Sequence, residues 1–167
     1  TYLDTMNPEA VQKFIEVTHE AYYREIGSEF GKTVPAIFTD EPNFTHCAHQ
    51  YYQMQWTPAL PEKYREKYGR DACDELPEIF FPSVRKISAA RMRFYDLSAE
   101  LFVQAFSRGI GEWCGRHNIA MTGHVLLEDN LLQTLEVGSA MRFYEYMQMP
   151  GIDLLTEHWG IFNTVKQ

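Results

Sequence analysis

Three short apolar runs, each followed by polar residues, constrain the fold of this chain more than any other feature. The runs cover residues 34–39, 119–124 and 152–158. Each is apolar on successive residues, a pattern typical of parallel strands that are buried on both faces. Helical patterns separate the runs, and alternation of helix and strand requires a parallel sheet covered by helices. The sequence therefore predicts an α/β fold.

Two architectures fit this alternation, a doubly wound open sheet and a (β/α)8 barrel of TIM type. A dinucleotide-binding domain of the first kind carries the glycine pattern G-x-G-x-x-G after a strand, and no predicted strand here is followed by it. In both architectures, ligands bind at the carboxyl ends of the strands. We expect part of a (β/α)8 barrel, with residues 1–167 as a single fragment of it.

The helical patterns between the strands differ in how clearly they begin and end. They lie at 8–26, 61–68, 88–117, 129–137 and 139–149. The first has a clear start, because Asn7 can cap it and Pro8 suits the first helical position. In the long third helix, Gly109 and Gly111 are expected to weaken the helix and kink it.

A long excursion at residues 43–85 contains four prolines and, apart from the predicted short helix, no periodic pattern. Excursions of this length in compact domains are usually functional or mobile. It follows a predicted strand directly, so we expect a loop that folds over the ligand-binding end of the sheet. Trp56 lies within it and is a candidate for a flat aromatic surface on which a sugar ring packs.

The composition excludes some partners and leaves others open. The formal net charge of −8 argues against a nucleic-acid partner, since such proteins usually present a basic face, but it allows a neutral sugar. No apolar run approaches the roughly 18 residues that a membrane span needs. Cys47, Cys73 and Cys114 are scattered, which favours reduced thiols and a cytoplasmic location. The chain begins with Thr1 in the middle of a pattern, so we expect a fragment whose export signal, if any, lies elsewhere.

The three predicted strands end alike, in a threonine followed by polar residues. The endings are Thr39-Asp40-Glu41, Thr122-Gly123-His124 and Thr156-Glu157-His158. Buried polar groups need partners, so three such endings at one edge of a sheet indicate a shared pocket. Side chains alternate along a strand, so with the threonines aligned Glu41, His124 and His158 share a face. Asp40 and Glu157 then face the other side, which ranks Glu41 above Asp40 as the pocket carboxylate.

Several motifs, spread in order over nearly the whole chain, resemble segments of large bacterial glycoside hydrolases. They include Asn7-Pro8-Glu9-Ala10, Ile37-Phe38-Thr39-Asp40-Glu41-Pro42, Trp56-Thr57-Pro58, Tyr95-Asp96-Leu97, Thr122-Gly123-His124 and Pro150-Gly151-Ile152-Asp153. The enzymes that they resemble are barrel proteins related to family 2, with sugar-binding β domains, and those near the family-106 α-L-rhamnosidases. The resemblance implies a (β/α)8 barrel that cleaves glycosidic bonds in a carbohydrate. It also implies two partners, the remainder of the parent barrel and accessory β domains.

The resemblance further implies roles for the carboxylates, since glycosidases usually place two of them about the scissile bond. In the broad clan that includes family 2, the acid/base follows the fourth strand and the nucleophile follows the seventh. If the strand that ends at Glu41 is the fourth, Glu41 is the acid and the seventh strand lies beyond Gln167. Asp40 stands where that clan usually has an asparagine. An inverting enzyme could instead pair Glu41 with Glu128 or Glu157.

The predicted catalytic carboxylates are therefore Glu41, Asp40, Glu157 and Glu128, and the predicted substrate-binding residues are His124, His158, Trp56 and Trp159. We expect no cofactor. Two alternatives stay open. A metal-dependent hydrolase could hold a divalent cation with Glu41, His124 and His158, a set that metals accept, although the chain has no H-E-x-x-H motif. The chain could also be a non-catalytic part of a larger carbohydrate-active protein.

Overall fold

The computed structural model describes residues 2–45, 54–81, 87–128 and 131–153. Its sheet consists of three strands: β1 (Ala36–Asp40), β2 (Ala120–His124) and β3 (Met149–Pro150). The strands are ordered β1-β2-β3, and both neighbouring pairs are parallel. The predicted α/β class with a parallel sheet is confirmed. Three strands do not close a barrel, so the (β/α)8 architecture stays a prediction.

Eight α-helices within these ranges accompany the sheet. They are α1 (Pro8–Val17), α2 (His19–Ile26), α3 (Leu60–Tyr68), α4 (Ala72–Phe80), α5 (Ala89–Phe102), α6 (Arg108–Arg116), α7 (Gln133–Glu136) and α8 (Ala140–Tyr144). A 3₁₀ turn covers Gly27–Glu29, and a π-helical segment at Val103–Ser107 joins α5 to α6. None of these described helices has the length and apolar character that crossing a bilayer requires.

Residues 8–26 form two helices where the sequence predicts a single one. Asn7 caps α1 as predicted, since its Oδ1 accepts from the backbone N–H of Glu9 at 3.0 Å. The break falls at Thr18, whose hydroxyl donates to the carbonyl oxygen of Phe14 at 2.6 Å. Threonine bonds of this kind bend helices, which accounts for the break inside an otherwise continuous pattern.

The long helix predicted at 88–117 forms, but its irregularity is not where the glycines suggest. Ser88 caps it by accepting a backbone N–H bond from its first turn at 3.1 Å. The helix widens into the π-helical segment and does not break at Gly109 or Gly111. Gly111 instead permits a close approach, because a Cβ there would lie 2.2 Å from the carbonyl oxygen of Tyr146.

The excursion at 43–85 contains two helices in its described part. α3 agrees with the predicted short helix, whereas the sequence patterns do not predict α4 because Pro77 lies inside it. Asp71 caps α4 by accepting from the backbone N–H of Cys73 at 2.9 Å. Both helices pack on α5 and form a second apolar core with it. Its buried members are Leu60, Tyr64, Ala72, Ile79, Ala90, Phe94 and Leu97.

The third strand lies earlier in the chain than predicted. We expect a strand over 152–156, but β3 ends at Pro150. Pro150, which precedes the predicted strand, pairs with Gly123. Proline is tolerated there because the next residue supplies the donor to β2, with the Gly151 N–H bonding the carbonyl oxygen of Gly123 at 2.8 Å. The predicted strand from residue 154 onward lies outside the described residues.

The helices cover one face of the sheet. Met121 in β2 is fully buried in the main core, and Ile37 in β1 packs against the same core. The other face carries the alternate residues of these strands, and there Phe38 is 63% exposed. Within the described part of the chain, one sheet face is therefore packed and the other is open.

Candidate active site at the strand ends

Glu41 follows β1 directly and turns the chain sharply. Its φ is 46°, in the left-handed region that residues with a Cβ rarely adopt. Holding a residue there costs about 1–3 kcal/mol, so neighbouring contacts must stabilise the turn. Asn43 donates from Nδ2 to the carbonyl oxygen of Glu41 at 3.1 Å, and Thr5 donates from Oγ1 to the carbonyl oxygen of Asn43 at 2.8 Å. These bonds fix the direction in which the Glu41 side chain leaves the strand.

His124 is the last residue of β2 and lies beside the last residue of β1. Asp40 pairs with His124 in the parallel register, and its Oδ1 lies 3.3 Å from His124 Nε2. The Phe38 ring packs edge-on to the imidazole, with 5.7 Å between ring centroids. His124 is buried, whereas the Asp40 side chain is 77% exposed. Asp40 is therefore the solvent-facing partner of a buried histidine.

The reasoning that placed Glu41 and His124 on one face by alternation is wrong, although the two side chains do meet. It assumed that the threonines near the strand ends are neighbours, whereas Thr39 pairs with Gly123. With this register, strict alternation would place Glu41 on the face away from His124. The left-handed backbone at Glu41 breaks the alternation and brings its carboxylate back to the histidine.

Asp153 joins the two residues at the ends of β1 and β2. One ligand atom each from Glu41, His124 and Asp153 lies within 4.8 Å of the other two, and His124 Nε2 is 3.9 Å from Asp153 Oδ2. Sequence reasoning missed Asp153 because it placed this residue inside a strand. Since β3 ends at Pro150, Asp153 is instead a polar residue past a strand end, like Glu41. The Pro150-Gly151 pair is the signal that could have located that strand end, because both residues usually interrupt a strand.

Glu128, a predicted second carboxylate, is buried and has both carboxylate oxygens engaged. Oε1 accepts from the hydroxyl of Tyr144, and Oε2 accepts from the backbone N–H of Asp153 at 2.9 Å. The Tyr144 hydroxyl oxygen also accepts from the backbone N–H of Val125 at 3.2 Å. Burial and the hydrogen bond to Glu128 raise the pKa of the Tyr144 hydroxyl, so it remains a donor at neutral pH. Glu128 therefore contacts the strand-end residues through the backbone of Asp153.

A cleft of about 870 Å³ is lined in part by residues that follow the strand ends in the chain, but not by Glu41, His124 or Asp153 themselves. Its wall includes Asn43, two residues after Glu41, and Leu127, three residues after His124. Trp56 lies in the same wall and is 42% exposed. The two helices of the excursion pack on α5, and the folding of the excursion over the carboxyl end of the sheet stays a prediction. A sugar-binding role for Trp56 stays a prediction.

Three residues of the predicted site, Glu157, His158 and Trp159, lie outside the described residues. The predicted metal set needs His158, so this set also falls outside them. Among the described residues, Asp153 takes the place of the third ligand beside Glu41 and His124. Two carboxylates and one imidazole at the edge of a parallel sheet can bind sugar hydroxyls, transfer protons or hold a cation.

Comparison with known proteins shows a structural likeness and no sequence match. No protein-family model and no curated protein matches the sequence. The structure is similar to that of a rhamnosidase from Novosphingobium sp. PP1Y, with a TM-score of 0.65 and 19% sequence identity. The match covers 86% of this chain and 13% of the rhamnosidase, so the chain spans a small part of that protein's length. At this identity the likeness shows the fold alone: this arrangement of helices around a small parallel sheet recurs within a much longer protein, a rhamnosidase.

Proposed function

We propose that this chain carries part of the active site of a glycoside hydrolase and that Glu41 is its general acid. The observation that carries the proposal is the position of the Glu41 carboxylate, at the carboxyl edge of a parallel sheet and beside His124 and Asp153. Enzymes with parallel β/α architecture bind their substrates at this edge. The fold likeness to a rhamnosidase supports the same class of reaction. The substrate is then a carbohydrate.

A general acid protonates the glycosidic oxygen while its bond to the sugar breaks. The acid must point at that oxygen, and the hydrogen bond from Asn43 holds the turn that aims Glu41. Around it, His124 can donate to sugar hydroxyls, while the carboxylates of Asp40 and Asp153 can accept from them. The cluster thus combines a proton donor with groups that orient a sugar ring.

The second carboxylate of the mechanism is not Glu128 in this proposal. Activating water or attacking the sugar needs a carboxylate that water or substrate can reach, and Glu128 is buried with each oxygen already accepting a hydrogen bond from the protein. Glu157 or a carboxylate from another strand of the parent barrel supplies the second group. Accessory β domains of the parent protein complete the proposed assembly.

In this proposal, the cleft that Asn43 and Leu127 help to line holds the part of the substrate that leaves. Its volume of about 870 Å³ lies within the roughly 300–1,000 Å³ of typical ligand sites. Trp56 offers a large, partly exposed aromatic surface in its wall. We place one ring of the substrate against Trp56 and the scissile bond at Glu41.

Glu41→Gln tests the assignment of the general acid in the protein at its native length. The substitution keeps the shape of the side chain but removes the transferable proton. We expect kcat/KM to fall about 10²-fold or more on glycosides with poor leaving groups, a typical loss for general acid catalysis. Glycosides with activated aryl leaving groups need less protonation, so their rates should fall much less.

Asp40→Asn is the matched control, because it changes the neighbouring carboxylate without removing the proposed acid. We expect it to affect both classes of leaving group alike. Cleavage of the natural glycoside by Glu41→Gln at the unmodified rate would show that Glu41 is not the acid.

A metal-dependent hydrolase is the second candidate, because Glu41, His124 and Asp153 offer three ligand atoms within 4.8 Å of one another. Two ligands of a tetrahedral zinc, each about 2.1 Å from the ion, are about 3.4 Å apart, whereas His124 Nε2 and Asp153 Oδ2 are 3.9 Å apart. Small side-chain rotations would therefore be needed to close the set around zinc. Calorimetric titration of the unmodified chain and of His124→Ala with Zn²⁺ and Mn²⁺ tests this candidate. Hydrolysis that survives exhaustive chelation would contradict it.

A further inference from the structure

One buried carboxylate ties the segment after β3 to the loop after β2. Glu128, in that loop, is 7% exposed. Its Oε2 accepts from the backbone N–H of Asp153 at 2.9 Å, and its Oε1 accepts from the hydroxyl of Tyr144. Hydrogen bonds to a charged acceptor are stronger than those between neutral groups, and burial shields these two from water. The Glu128 carboxylate is therefore held in one position.

Tyr144 extends this connection to α8 and back to β2. Its hydroxyl donates to Glu128 while accepting from the backbone N–H of Val125 at 3.2 Å. Val125 follows His124 directly in the chain. The same hydroxyl thus bonds the backbone beside His124 and the carboxylate that holds Asp153.

These bonds determine where the Asp153 side chain can lie. Two residues before it, the Gly151 N–H bonds the carbonyl oxygen of Gly123 at 2.8 Å. With its own N–H bonded to Glu128, the Asp153 backbone is attached to β2 and to the loop that follows β2. Oδ2 of the Asp153 carboxylate then lies 3.9 Å from His124 Nε2. At this separation both groups can contact one small substrate or exchange a proton through it.

We propose that Glu128 and Tyr144 form a brace that positions the Asp153 carboxylate beside His124, so that Glu128 is a positioning residue of the strand-end site and not one of its reacting carboxylates. The brace is defined as these two residues. Its catalytic consequence rests on the glycosidase function proposed above. Its structural consequence, the fixed position of Asp153, does not.

The choice of substitutions at Glu128 separates the two roles. In Glu128→Gln, the amide oxygen can still accept from the Asp153 N–H, so a positioning role is largely kept. In Glu128→Ala, that acceptor is lost. A reacting carboxylate would lose its function in both variants, because neither has a group that ionises.

The first measurement follows the backbone of Asp153 and needs no activity. Amide hydrogen exchange of the unmodified chain, monitored by NMR, should show the Asp153 N–H protected. We expect Glu128→Ala to remove most of this protection, and Glu128→Gln to keep it within about threefold. Tyr144→Phe, which removes one bond to Glu128 and leaves its other oxygen in place, should have an intermediate effect and serves if Glu128→Ala does not fold. Unchanged protection in both Glu128→Ala and Tyr144→Phe would overturn the proposal.

The second measurement is glycosidase activity at native length. We expect kcat/KM to fall about 10- to 100-fold in Glu128→Ala, as is typical when a residue that orients a site residue is removed. Glu128→Gln should recover most of that loss. Equal inactivity of Glu128→Gln and Glu128→Ala would show that Glu128 itself reacts and would overturn the proposal.

Tyr64→Phe is the matched control for Tyr144→Phe. Each of the two tyrosines donates its hydroxyl to a glutamate, but Tyr64 is fully buried, donates to Glu75 and lies in α3, within the second core, whereas Tyr144 is partly buried beside the main core. We expect both variants to lower the melting temperature and only Tyr144→Phe to change kcat/KM. If the two variants changed kcat/KM equally, the brace would contribute only to the stability of the protein, and the proposed positioning role would be overturned. If the unmodified protein cleaves no glycoside, the proposed function fails while the exchange measurement still decides the position of Asp153.

Discussion

At the scale of single residues, two unusual backbone conformations assemble the strand ends. Glu41 has a φ of 46°, which brings its carboxylate to His124 against the alternation of the strand. Gly123 has a φ of 130°, and a Cβ there would lie 2.0 Å from the carbonyl oxygen of Thr39. Glycine is therefore required at 123 both for its backbone conformation and for the approach of β1 to β2.

Gly123→Ala should be strongly destabilising. The substitution adds strain at a positive φ to a clash with the backbone of the neighbouring strand, and together we expect a loss of about 2–4 kcal/mol in the free energy of unfolding. Gly115→Ala in α6 is the control, because a Cβ there meets no heavy atom of the described residues within 4 Å. It should stabilise the helix by up to about 1 kcal/mol. Urea unfolding measures both, and equal stabilities of the two variants would contradict the packing at Gly123.

At the scale of elements, a charged cluster connects α3, α4 and α5. The Tyr64 hydroxyl donates to Glu75, and Arg93 bonds both Glu75 carboxylate oxygens. Burial alone would raise the pKa of the Glu75 carboxyl, but the hydrogen bonds from Arg93 and Tyr64 lower it below its usual value of 4.5. The ionised form of Glu75 therefore stabilises the packing of the three helices.

The lowered pKa of Glu75 gives this stabilisation a defined pH dependence. A carboxyl whose pKa is lower in the folded state contributes fully above its unfolded pKa, and the contribution is lost as the pH falls below about 4.5. At pH 7, Glu75→Gln should cost about 1–3 kcal/mol of unfolding free energy. The difference from the unmodified chain should shrink between pH 4.5 and pH 3. Urea unfolding over this range, with the exposed neighbour Asp74→Asn as control, checks it; a constant difference would contradict the prediction.

Helices and strands that are marked by residues within or next to them were predictable from the sequence. The strands β1 and β2 follow from apolar runs, and the start of α1 follows from Asn7 and its neighbours. The third strand and α4 were not predictable, because Pro150 and Pro77 occupy positions where proline usually argues against a strand or a helix.

The residues of the candidate site likewise comprise some that local sequence patterns predict and others that they do not. Glu41 and His124 were found because each follows a recognisable strand. Asp153 depends on where β3 ends, and the hydrogen bond between Glu128 and Tyr144 joins residues 16 apart in the chain, with α7 between them. Contacts of that kind are set by tertiary packing and leave no periodic signal in the sequence.

At the scale of the whole molecule, the sheet is packed on one face and open on the other. Helices and the main core cover the face of Met121, while Phe38 on the opposite face is 63% exposed. An exposed aromatic residue on an open sheet face favours association with other surfaces. In the proposed parent barrel, further strands would cover this face.

The chain by itself should therefore associate in solution. We expect a weight-average mass above 19.5 kDa in sedimentation experiments at about 0.15 M salt, where charge repulsion is screened beyond about 8 Å. Phe38→Asn should lower the association. Phe81→Asn is the control, because Phe81 is similarly exposed, at 61%, but follows α4 and lies away from the sheet. A monomeric unmodified chain at the highest soluble concentration would contradict this prediction.

The π-helical segment sets the angular phase of the helix that runs from α5 into α6. Phe102, Phe106, Ile110 and Cys114 recur every four residues and all lie in the main core. In a regular α-helix, the twelve residues from Phe102 to Cys114 would rotate the side chain about 120° past its starting direction. One extra residue accommodated in the segment offsets about 100° of that rotation. Deleting a single residue there would leave a regular helix with eleven steps from Phe102 to Cys114, which again ends about 20° past full turns, so that α6 would keep the same face toward the core. Converting the segment to regular α-helix without a deletion would instead turn α6 by about 100° and carry Cys114 out of the core.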